Sequence, residues 1–243
     1  MLTLTEAIEA RRSVRSFAGA TPGADSLPPI PPNETHMALL RPTDLADSRI
    51  GTYGIIKGAP AYVAVMYDKT DDADALAAGM AGERFVLECV RRGLGTCWLG
   101  GTFNRAKVAR SLGASNAARV QAVIAVGEPA AKRSVMERVM RHVAASDKRK
   151  PLSQLIIAGD VPAALTKALD AVRLAPSAMN RQPWRFAFNG NGSVDVYADP
   201  ADSFMALDTG IALCHFLLFA PGYRVEPPRH PHPLLKPLAS LIK

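Results

Sequence analysis

The chain has 243 residues, of which 48% are hydrophobic, and a formal net charge of +7. This length and composition predict a globular protein with one large core or two small ones, and they argue against a fibrous or disordered chain. The three cysteines show no CxxC spacing, which argues against a zinc site or a disulfide framework, so we expect a reducing, cytoplasmic environment.

No apolar run reaches the roughly 18 residues that a membrane-spanning helix needs. The longest run, IALCHFLLFA at 211–220, is too short and predicts a buried helix. The first residues, MLTLTEAIEARRS, lack the apolar core and small-residue cleavage site of a secretory signal. We therefore expect neither a membrane partner nor export.

The positive charge suits an anionic partner: nucleic acid, a membrane surface or a small phosphorylated ligand. Basic residues gather in two clusters, at 11–15 and between 132 and 150. Neither cluster interleaves basic and aromatic residues as single-stranded nucleic acid requires. The pattern favours a phosphate-bearing cofactor, and the alternative is that both clusters are solvated helix faces.

The first half of the chain predicts alternating helices and strands. A helix over about 3–12 begins at a Thr3 or Thr5 cap, and the proline-rich residues 18–36 predict a long irregular connection. We expect strands at 59–68 and 119–129, separated by a long helix over 76–95 that stops at Gly93 or Gly95.

The second half predicts a similar series of elements. We expect a helix in VPAALTKALDAVRLAPS, a hairpin over 184–199 that turns at 189–192, and a long apolar helix in ALDTGIALCHFLLFAPGYRVE. The proline-rich tail after 226 predicts a surface segment, because its prolines exclude a continuous helix before about Pro237.

The order of elements in the second half echoes that in the first. LTEAIEARR matches LTKALDAVR almost residue for residue, and APAYVAV corresponds to QPWRFAF. Two similar series of elements indicate an internal duplication. We therefore predict two half-repeats, residues 1–157 and 158–243.

The segment RRSVRSF at 11–17 places three cations and a hydroxyl within its first five residues, at the end of a helix. Arg11 and Arg15 are four residues apart and share a face if the helical turn continues, with Ser13 between them. Such a pair of guanidinium groups suits a phosphate. The alternative is an exposed basic helix end that complements the helix dipole.

The segment GLGTCWLGGTFN at 93–104 is not a dinucleotide fingerprint, because its glycines lack that spacing and follow a helix. Gly100 and Gly101 instead offer main-chain N–H groups that a flat ligand can approach closely. The alternative is a helix cap followed by a glycine-rich turn.

The segment APSAMNRQPW at 175–184 joins a predicted helix to a predicted strand. Ser177, Asn180 and Gln182 supply hydrogen-bonding groups suited to the edge of a planar ring. The alternative is that Ser177 and Asn180 cap local turns and that Trp184 belongs to the core.

These segments together resemble the nitroreductase family of flavin-dependent oxidoreductases, in which RRSxRxF is paired with APSxxNxQPW, a GLGxxWxGG-like segment and an RKPLEE-like segment. The last appears here as DKRKPLSQL at 147–155. The resemblance covers most of the chain. It implies an α+β fold with an antiparallel-dominated sheet and flanking helices.

The order of the segments differs from that of ordinary members, where the APS segment soon follows RRSxRxF and two identical chains share each flavin. Here APSAMNRQPW follows KRKPL. The sequence is similar to the tandem, single-chain subgroup of TM nitroreductases, in which two half-repeats imitate the dimer. That similarity implies an intrachain pseudo-dimer with one flavin site, and a monomer, although a homodimer stays open.

The resemblance implies a set of FMN-binding residues, named here by their positions in this chain. The phosphate and ribityl chain are assigned to Arg11, Ser13 and Arg149, with Lys150 and Arg12 nearby, and the pyrimidine side to Arg15. The remaining implied contacts come from Leu99, Gly100, Gly101, Pro176, Ser177, Ala178 and Asn180. Gln182 and Trp184 are assigned to support, and no metal ligand is expected.

The implied activity is transfer of hydride from NADH or NADPH through flavin N5 to a flat oxidant such as a nitroaromatic or a quinone. No catalytic triad or Cys/His pair stands out in the sequence, as expected where the cofactor carries the chemistry. One alternative is a flavin carrier or sensor without turnover. A second alternative is a basic protein that binds nucleic acid.

Overall fold

The structure is a computed structural model that describes residues 1–19, 26–41, 52, 54–113, 119–131 and 148–243. The chain divides into two compact units, Met1–Thr70 with Ala81–Ser146 and Asp71–Met80 with Asp147–Lys243. The half-repeats 1–157 and 158–243 stay a prediction from the sequence. The basic cluster predicted at 132–150 lies outside the described residues except for 148–150.

The first unit is built on a four-stranded sheet in the order β1-β2-β4-β3, with every neighbouring pair antiparallel. The two central strands are apolar on both faces and fully buried, as the continuous runs AYVAVM and VQAVIAVG predict. The strands are β1 Met37–Leu40, β2 Ala61–Met66, β3 Gly95–Leu99 and β4 Val120–Gly127.

In the described part of this unit, three helices accompany these strands: α1 Leu4–Ala10, α2 Asp72–Arg91 and α3 Arg105–Ser111. Helix α1 begins at the predicted Thr3 cap, where Thr3 and Glu6 form a reciprocal capping box. Helix α2 starts earlier than predicted and contributes residues to both units. It ends at Arg91, and the predicted stop residue Gly93 follows with a φ of 82°, where its N–H and that of Leu94 donate back to the last turn.

The alternative of a glycine-rich turn after α2 is wrong for Gly95–Leu99, which forms β3. Each residue from Gly95 to Leu99 pairs with one in β4, from Gly127 back to Val123. The β-branched and aromatic residues Thr96 and Trp98 suit a strand, and the paired neighbour overrides the local turn signal of the glycines.

The second unit contains a five-stranded sheet in the order β5-β6-β7-β9-β8. Only the β5–β6 pair is parallel, so antiparallel pairing dominates as predicted. The predicted hairpin is confirmed as β6 and β7. The strands are β5 Ile156–Ala158, β6 Trp184–Phe188, β7 Val194–Ala198, β8 Arg224–Glu226 and β9 Lys236–Ile242.

The helices of the second unit are α4 Leu152–Leu155, α5 Thr166–Leu174 and α6 Met205–Phe219, with 3-10 turns at Ala163–Leu165 and Ala178–Asn180. The apolar run predicted to be a buried helix is confirmed in α6, whose residues Ala206 to Phe216 are all buried. Within the described residues, no helix is long and apolar enough to cross a membrane. All three cysteines are buried thiols outside any disulfide.

The prediction of a surface tail after 226 is wrong for its last residues. Strand β9 lies inside the sheet, between β7 and β8, and Leu238 to Leu241 are buried. Prolines exclude a helix before Pro237, but they do not exclude a strand after it. The short apolar stretch LASLI is compatible with a central strand, and only pairing with β7 reveals that position.

The carboxylate of Asp195 in β7 fixes the tail strand β9 through hydrogen bonds. Asp195 is 3% exposed and accepts hydrogen bonds from Ser240 Oγ at 2.6 Å and from Asn189 Nδ2 at 2.8 Å. His230 Nδ1 lies 2.7 Å from the same carboxylate. Burial raises the pKa of Asp195, but the hydrogen bonds from Ser240, Asn189 and His230 outweigh burial, so the pKa lies below its ordinary value.

Two glycines allow α2 and α6 to approach closely within the second unit. A Cβ placed on Gly79 would overlap the Leu207 carbonyl oxygen, and one on Gly210 would overlap the Leu76 carbonyl oxygen. Backbone atoms are the obstacle on both sides, so rotation of a side chain cannot relieve the overlap. The small residues at these two positions therefore set the distance between the helices.

Replacement of Gly210 by alanine is expected to destabilise the protein by about 2 kcal/mol, because the cost of overpacking exceeds the gain in helix propensity. Urea denaturation measures this difference. Gly190→Ala is the matched control, since a Cβ at that position would meet no atom within 4 Å, and we expect a change under about 0.5 kcal/mol. Equal effects of the two substitutions would contradict the close helix contact.

Asp195→Asn is expected to destabilise the protein by about 2 kcal/mol at pH 7, because it removes a charged acceptor shared by several donors. The pKa of Asp195 in the folded state is below its ordinary 3.8. The contribution of the carboxylate to the free energy of unfolding is therefore fully present above pH 3.8 and is lost as the pH falls through the folded-state pKa. The difference from wild type should therefore shrink below about pH 4. Urea denaturation across pH tests this, with the exposed Asp160→Asn as control.

Candidate functional site

The two outer arginines of RRSVR carry buried donors. Arg11 is 8% exposed, and its Nε lies 4.0 Å from Glu83 Oε1. The Nε atoms of Arg11 and Arg15 are both buried and have no hydrogen-bond partner within the described part of the chain. Burial lowers the pKa of Arg11, and the nearby Glu83 carboxylate partly opposes that effect.

The condition that Arg11 and Arg15 share a helical face is not met. Helix α1 ends at Ala10, and its C-cap residue Arg11 has φ −56° and ψ 131°, outside the helical region. Beyond it, Ser13 forms a parallel bridge with Thr96, and Val14 donates to the Thr96 carbonyl at 2.8 Å. The segment is therefore extended, and it is fixed against the start of β3.

Arg12 behaves as the alternative interpretation of this segment predicts. Its Nη1 donates to the carbonyl of Glu9 at 2.6 Å and to that of Arg11 at 2.7 Å. These carbonyls belong to the end of α1, where intrahelical donors are lacking. Arg12 thus caps the helix, whereas the buried Arg11 does not fit the description of an exposed helix end.

The predicted backbone contact at Leu99, Gly100 and Gly101 lies at the end of β3. Leu99 is buried and paired with Val123, whereas Gly101 is exposed. A Cβ on Gly101 would meet no atom within 4 Å, so the packing of the unit does not require glycine there. The space in front of Gly101 is open to a ligand, and the Gly100 carbonyl lies within 3.4 Å of Arg105 Nη2.

The APSAMNRQPW segment has a strained backbone. Met179, Asn180 and Gln182 have φ values of 48°, 55° and 47°, in the left-handed region that non-glycine residues seldom occupy. Three such residues within four positions persist only where surrounding contacts fix them. Hydrogen bonds of Gln182 and Asn180 supply that restraint.

Gln182 is the centre of those contacts and is 3% exposed. Its backbone N–H donates to Ser177 Oγ at 2.9 Å, and its side-chain Oε1 accepts from the N–H of Lys150 at 2.9 Å. Lys150 Nζ donates to the Gln182 carbonyl at 3.1 Å. The support predicted for Gln182 therefore consists of holding residues 148–150 against the APS segment.

Asn180 joins the same two segments. Its Nδ2 donates to the Lys148 carbonyl at 2.8 Å, and its Oδ1 accepts from Arg149 Nη1 at 3.3 Å. Ser177 thus has the local structural role of the alternative interpretation, whereas these contacts of Asn180 reach a distant segment and do not cap a local turn. Trp184 is fully buried, as the same alternative predicted.

The second unit brings together the predicted residues Arg149, Lys150, Ser177, Ala178 and Asn180. Burial and then the neighbouring charge of Arg185 lower the pKa of Lys150. Arg185 Nη1 donates to the Gln182 carbonyl at 3.0 Å. The segment therefore carries several partly desolvated cationic donors, which is the chemistry that an anionic group requires.

Two buried acids with structural roles at these segments were not predicted. Asp208, near the start of α6, accepts from the Ala178 N–H at 2.8 Å, and burial raises its pKa well above the ordinary value. Glu83 in α2 accepts from the Trp98 indole N–H at 2.8 Å. The available signal for Asp208 was a lone acidic residue in the largely apolar stretch MALDTGIALC. Glu83 gave no comparable signal, because MAGERFVLECV also contains Arg84 and Glu88.

The α+β architecture, with antiparallel sheets and flanking helices, is that of nitroreductases. A "putative nitroreductase" from Thermotoga maritima MSB8 matches with a TM-score of 0.62 over 99% of this chain and 92% of that chain, at 23% identity. A family model described as "Putative TM nitroreductase" matches residues 29–220. The chain belongs to this family, which confirms the resemblance inferred from the motifs.

Two further solved structures are partial matches. A "putative nitroreductase in complex with FMN" from Desulfovibrio desulfuricans is 25% identical and covers 67% of this chain and 99% of that chain, with a TM-score of 0.43. A nitroreductase with bound FMN from Bacteroides fragilis NCTC 9343 is 20% identical and covers 56% of this chain and 92% of that chain, with a TM-score of 0.42. No curated protein matches the chain.

Replacement of Gln182 by alanine is expected to release residues 148–150 from the APS segment, because both ends of the amide side chain are used there. Hydrogen exchange should become about tenfold faster at the backbone amides of 148–150 and 177–182. Gln154→Ala, at an exposed position in the same unit, is the control. Unchanged exchange at the Lys150 amide would contradict the role of Gln182.

Proposed function

We propose that this chain is an FMN-dependent oxidoreductase that takes reducing equivalents from NADH or NADPH and passes them to a flat oxidant such as a nitroaromatic or a quinone. The observation that carries the proposal is the pair of buried Nε donors of Arg11 and Arg15, which meet no hydrogen-bond acceptor among the residues that the structure describes. Buried donors are normally satisfied, so each requires an acceptor. Both occur in the motif that the family resemblance assigns to flavin.

The proposed binding residues are those that the family resemblance assigns to FMN. Arg11, Ser13, Arg149 and Lys150 are assigned to the phosphate and ribityl chain. Arg15 is assigned to the pyrimidine side, where a cation stabilises the negative charge that develops on reduction. The backbone of Leu99, Gly100 and Gly101 and the residues Pro176, Ser177, Ala178 and Asn180 are assigned to the ring.

The donor set fits a flat phosphorylated ligand. Guanidinium groups bind phosphate oxygens through charge-assisted hydrogen bonds, and the space before Gly101 is free of side chains. The network around Gln182 keeps Asn180 and the cations at 149–150 in fixed positions, which lowers the entropic cost of binding. Arg12, in contrast, is already used as a helix cap.

Bound FMN would supply the hydride chemistry at its N5 atom, and the chain needs no dedicated general acid or base. The role of the protein residues is to bind the cofactor and adjust its electrostatic environment. Loss of the Arg15 charge should therefore disfavour the reduced flavin as well as weaken binding. A carrier that binds flavin without turnover remains the alternative, and it differs only in its response to reductant.

The test is the visible spectrum of the purified protein with FMN, before and after anaerobic addition of NADH or NADPH. We expect a flavin spectrum that bleaches with at least one reductant. Arg15→Ala and Asn180→Ala should each raise the Kd for FMN about tenfold or more, since each removes a polar contact to the ligand. Arg15 is preferred to Arg11 because Arg11→Ala would also leave the buried Glu83 without its cation.

Arg110→Ala is the matched control, because it removes the same charge from an exposed residue of α3 that is not among the assigned residues. Its Kd for FMN should be unchanged. A protein that takes up no FMN would refute the flavin assignment, and salt-sensitive binding of DNA would then support the nucleic-acid alternative. Flavin that binds but does not bleach would support the carrier.

A further inference from the structure

Arg11 and Glu83 form an ion pair inside the first unit that the motifs do not predict. The Glu83 side chain is fully buried, and Arg11 is 8% exposed. Nε of Arg11 lies 4.0 Å from Glu83 Oε1 and has no hydrogen-bond acceptor among the described residues. Arg11 therefore has charge compensation from Glu83 without a hydrogen bond from Nε to it.

The Glu83 carboxylate is held in place from its other side. Oε2 accepts the indole N–H of Trp98 at 2.8 Å. Trp98 is itself restricted, because a Cβ on Gly82 would lie 2.9 Å from its Cζ2 atom, so the ring packs directly on the helix backbone. Glu83 is thus an oriented buried anion next to the first arginine of the RRSVR segment.

A buried guanidinium without a counter-ion is costly, and removal of one partner of a buried pair is strongly destabilising. The anion that compensates Arg11 also repels any second anion that approaches it. A ligand phosphate at Arg11 therefore meets an arginine whose charge is already partly balanced.

We propose that Glu83 is a charge-balancing residue that compensates Arg11 in the flavin-free protein and thereby limits the affinity of Arg11 for the FMN phosphate. The inference rests on the proposed function, since it requires that Arg11 contacts the phosphate. Glu83 acts through Arg11 and is a positioning residue. When the phosphate is bound, it replaces Glu83 as the main counter-ion of Arg11.

This role predicts opposite effects of Glu83→Gln on the free and the bound protein. Without ligand, the amide leaves Arg11 uncompensated, so the melting temperature should fall. With FMN, the phosphate supplies the missing negative charge, so the phosphate should contribute more to binding than in wild type. Riboflavin has the same ring system without the phosphate, so its affinity for the protein should not increase.

The experiment measures the Kd of FMN and of riboflavin for the full chain by fluorescence titration. The ratio of the riboflavin Kd to the FMN Kd should rise about tenfold in Glu83→Gln, as expected for one removed charge near a phosphate in a partly desolvated site. Higher salt should reduce this gain. A purely structural role would weaken both flavins and leave the ratio unchanged.

Glu88→Gln is the matched control, because Glu88 lies on the same helix and pairs with Arg91 instead, at 3.0 Å. The ratio of the riboflavin Kd to the FMN Kd should be the same in Glu88→Gln as in wild type. Glu83→Asp keeps the negative charge but shortens the side chain by one methylene group. It should raise the ratio of the riboflavin Kd to the FMN Kd by about twofold. This variant keeps the inference testable if Glu83→Gln does not fold.

The outcomes separate the two proposals. If FMN binds wild type and neither Glu83 variant raises the ratio, the charge-balancing role is overturned and the proposed function stands. If wild type binds neither flavin, both are overturned. A raised ratio in Glu88→Gln would also overturn the inference, because the effect would then be a general response to lost negative charge.

Discussion

The buried amide of Gln182 is the interaction on which the geometry of the second unit's polar segment depends. It connects residues that are 32 positions apart in the sequence, and one side chain serves Lys150, Lys148 and Asn180. A left-handed φ at three non-glycine residues is unfavourable in isolation. The hydrogen bonds of Gln182, Ser177 and Asp208 hold the backbone in this conformation.

The same requirement, that buried polar groups find partners, explains much of the remaining polar structure. Asp195 collects donors from β9 and the loop before it, and so it fixes the tail strand in the sheet. Asp208 accepts the N–H of Ala178. Among the residues that the structure describes, the Nε atoms of Arg11 and Arg15 belong to a small set of buried side-chain atoms without a hydrogen-bond partner. Such atoms are where a ligand or another partner is expected.

The elements that the sequence predicted well are those whose signal is local and strong. β2, β4 and α6 are long apolar runs, the Thr3 cap and Gly93 mark helix ends, and the 189–192 turn joins β6 and β7. β9 could not be predicted, because its central place depends on pairing with β7 and not on its own residues. The extended path after Arg11 was missed for the same reason, since Val14 pairs with the backbone of Thr96.

The same difference between local signals and long-range contacts applies to the candidate site. Motifs identified the segments, but they did not identify which side chains within them are already engaged in the fold. Arg12 and Arg11 are adjacent in sequence, yet one caps a helix in solvent and the other is buried beside an acid. The difference arises because the chain turns from helix to strand between them, which directs neighbouring side chains to different surroundings. A motif therefore assigns a function to a segment, and burial and partner geometry decide which of its residues can still bind a ligand.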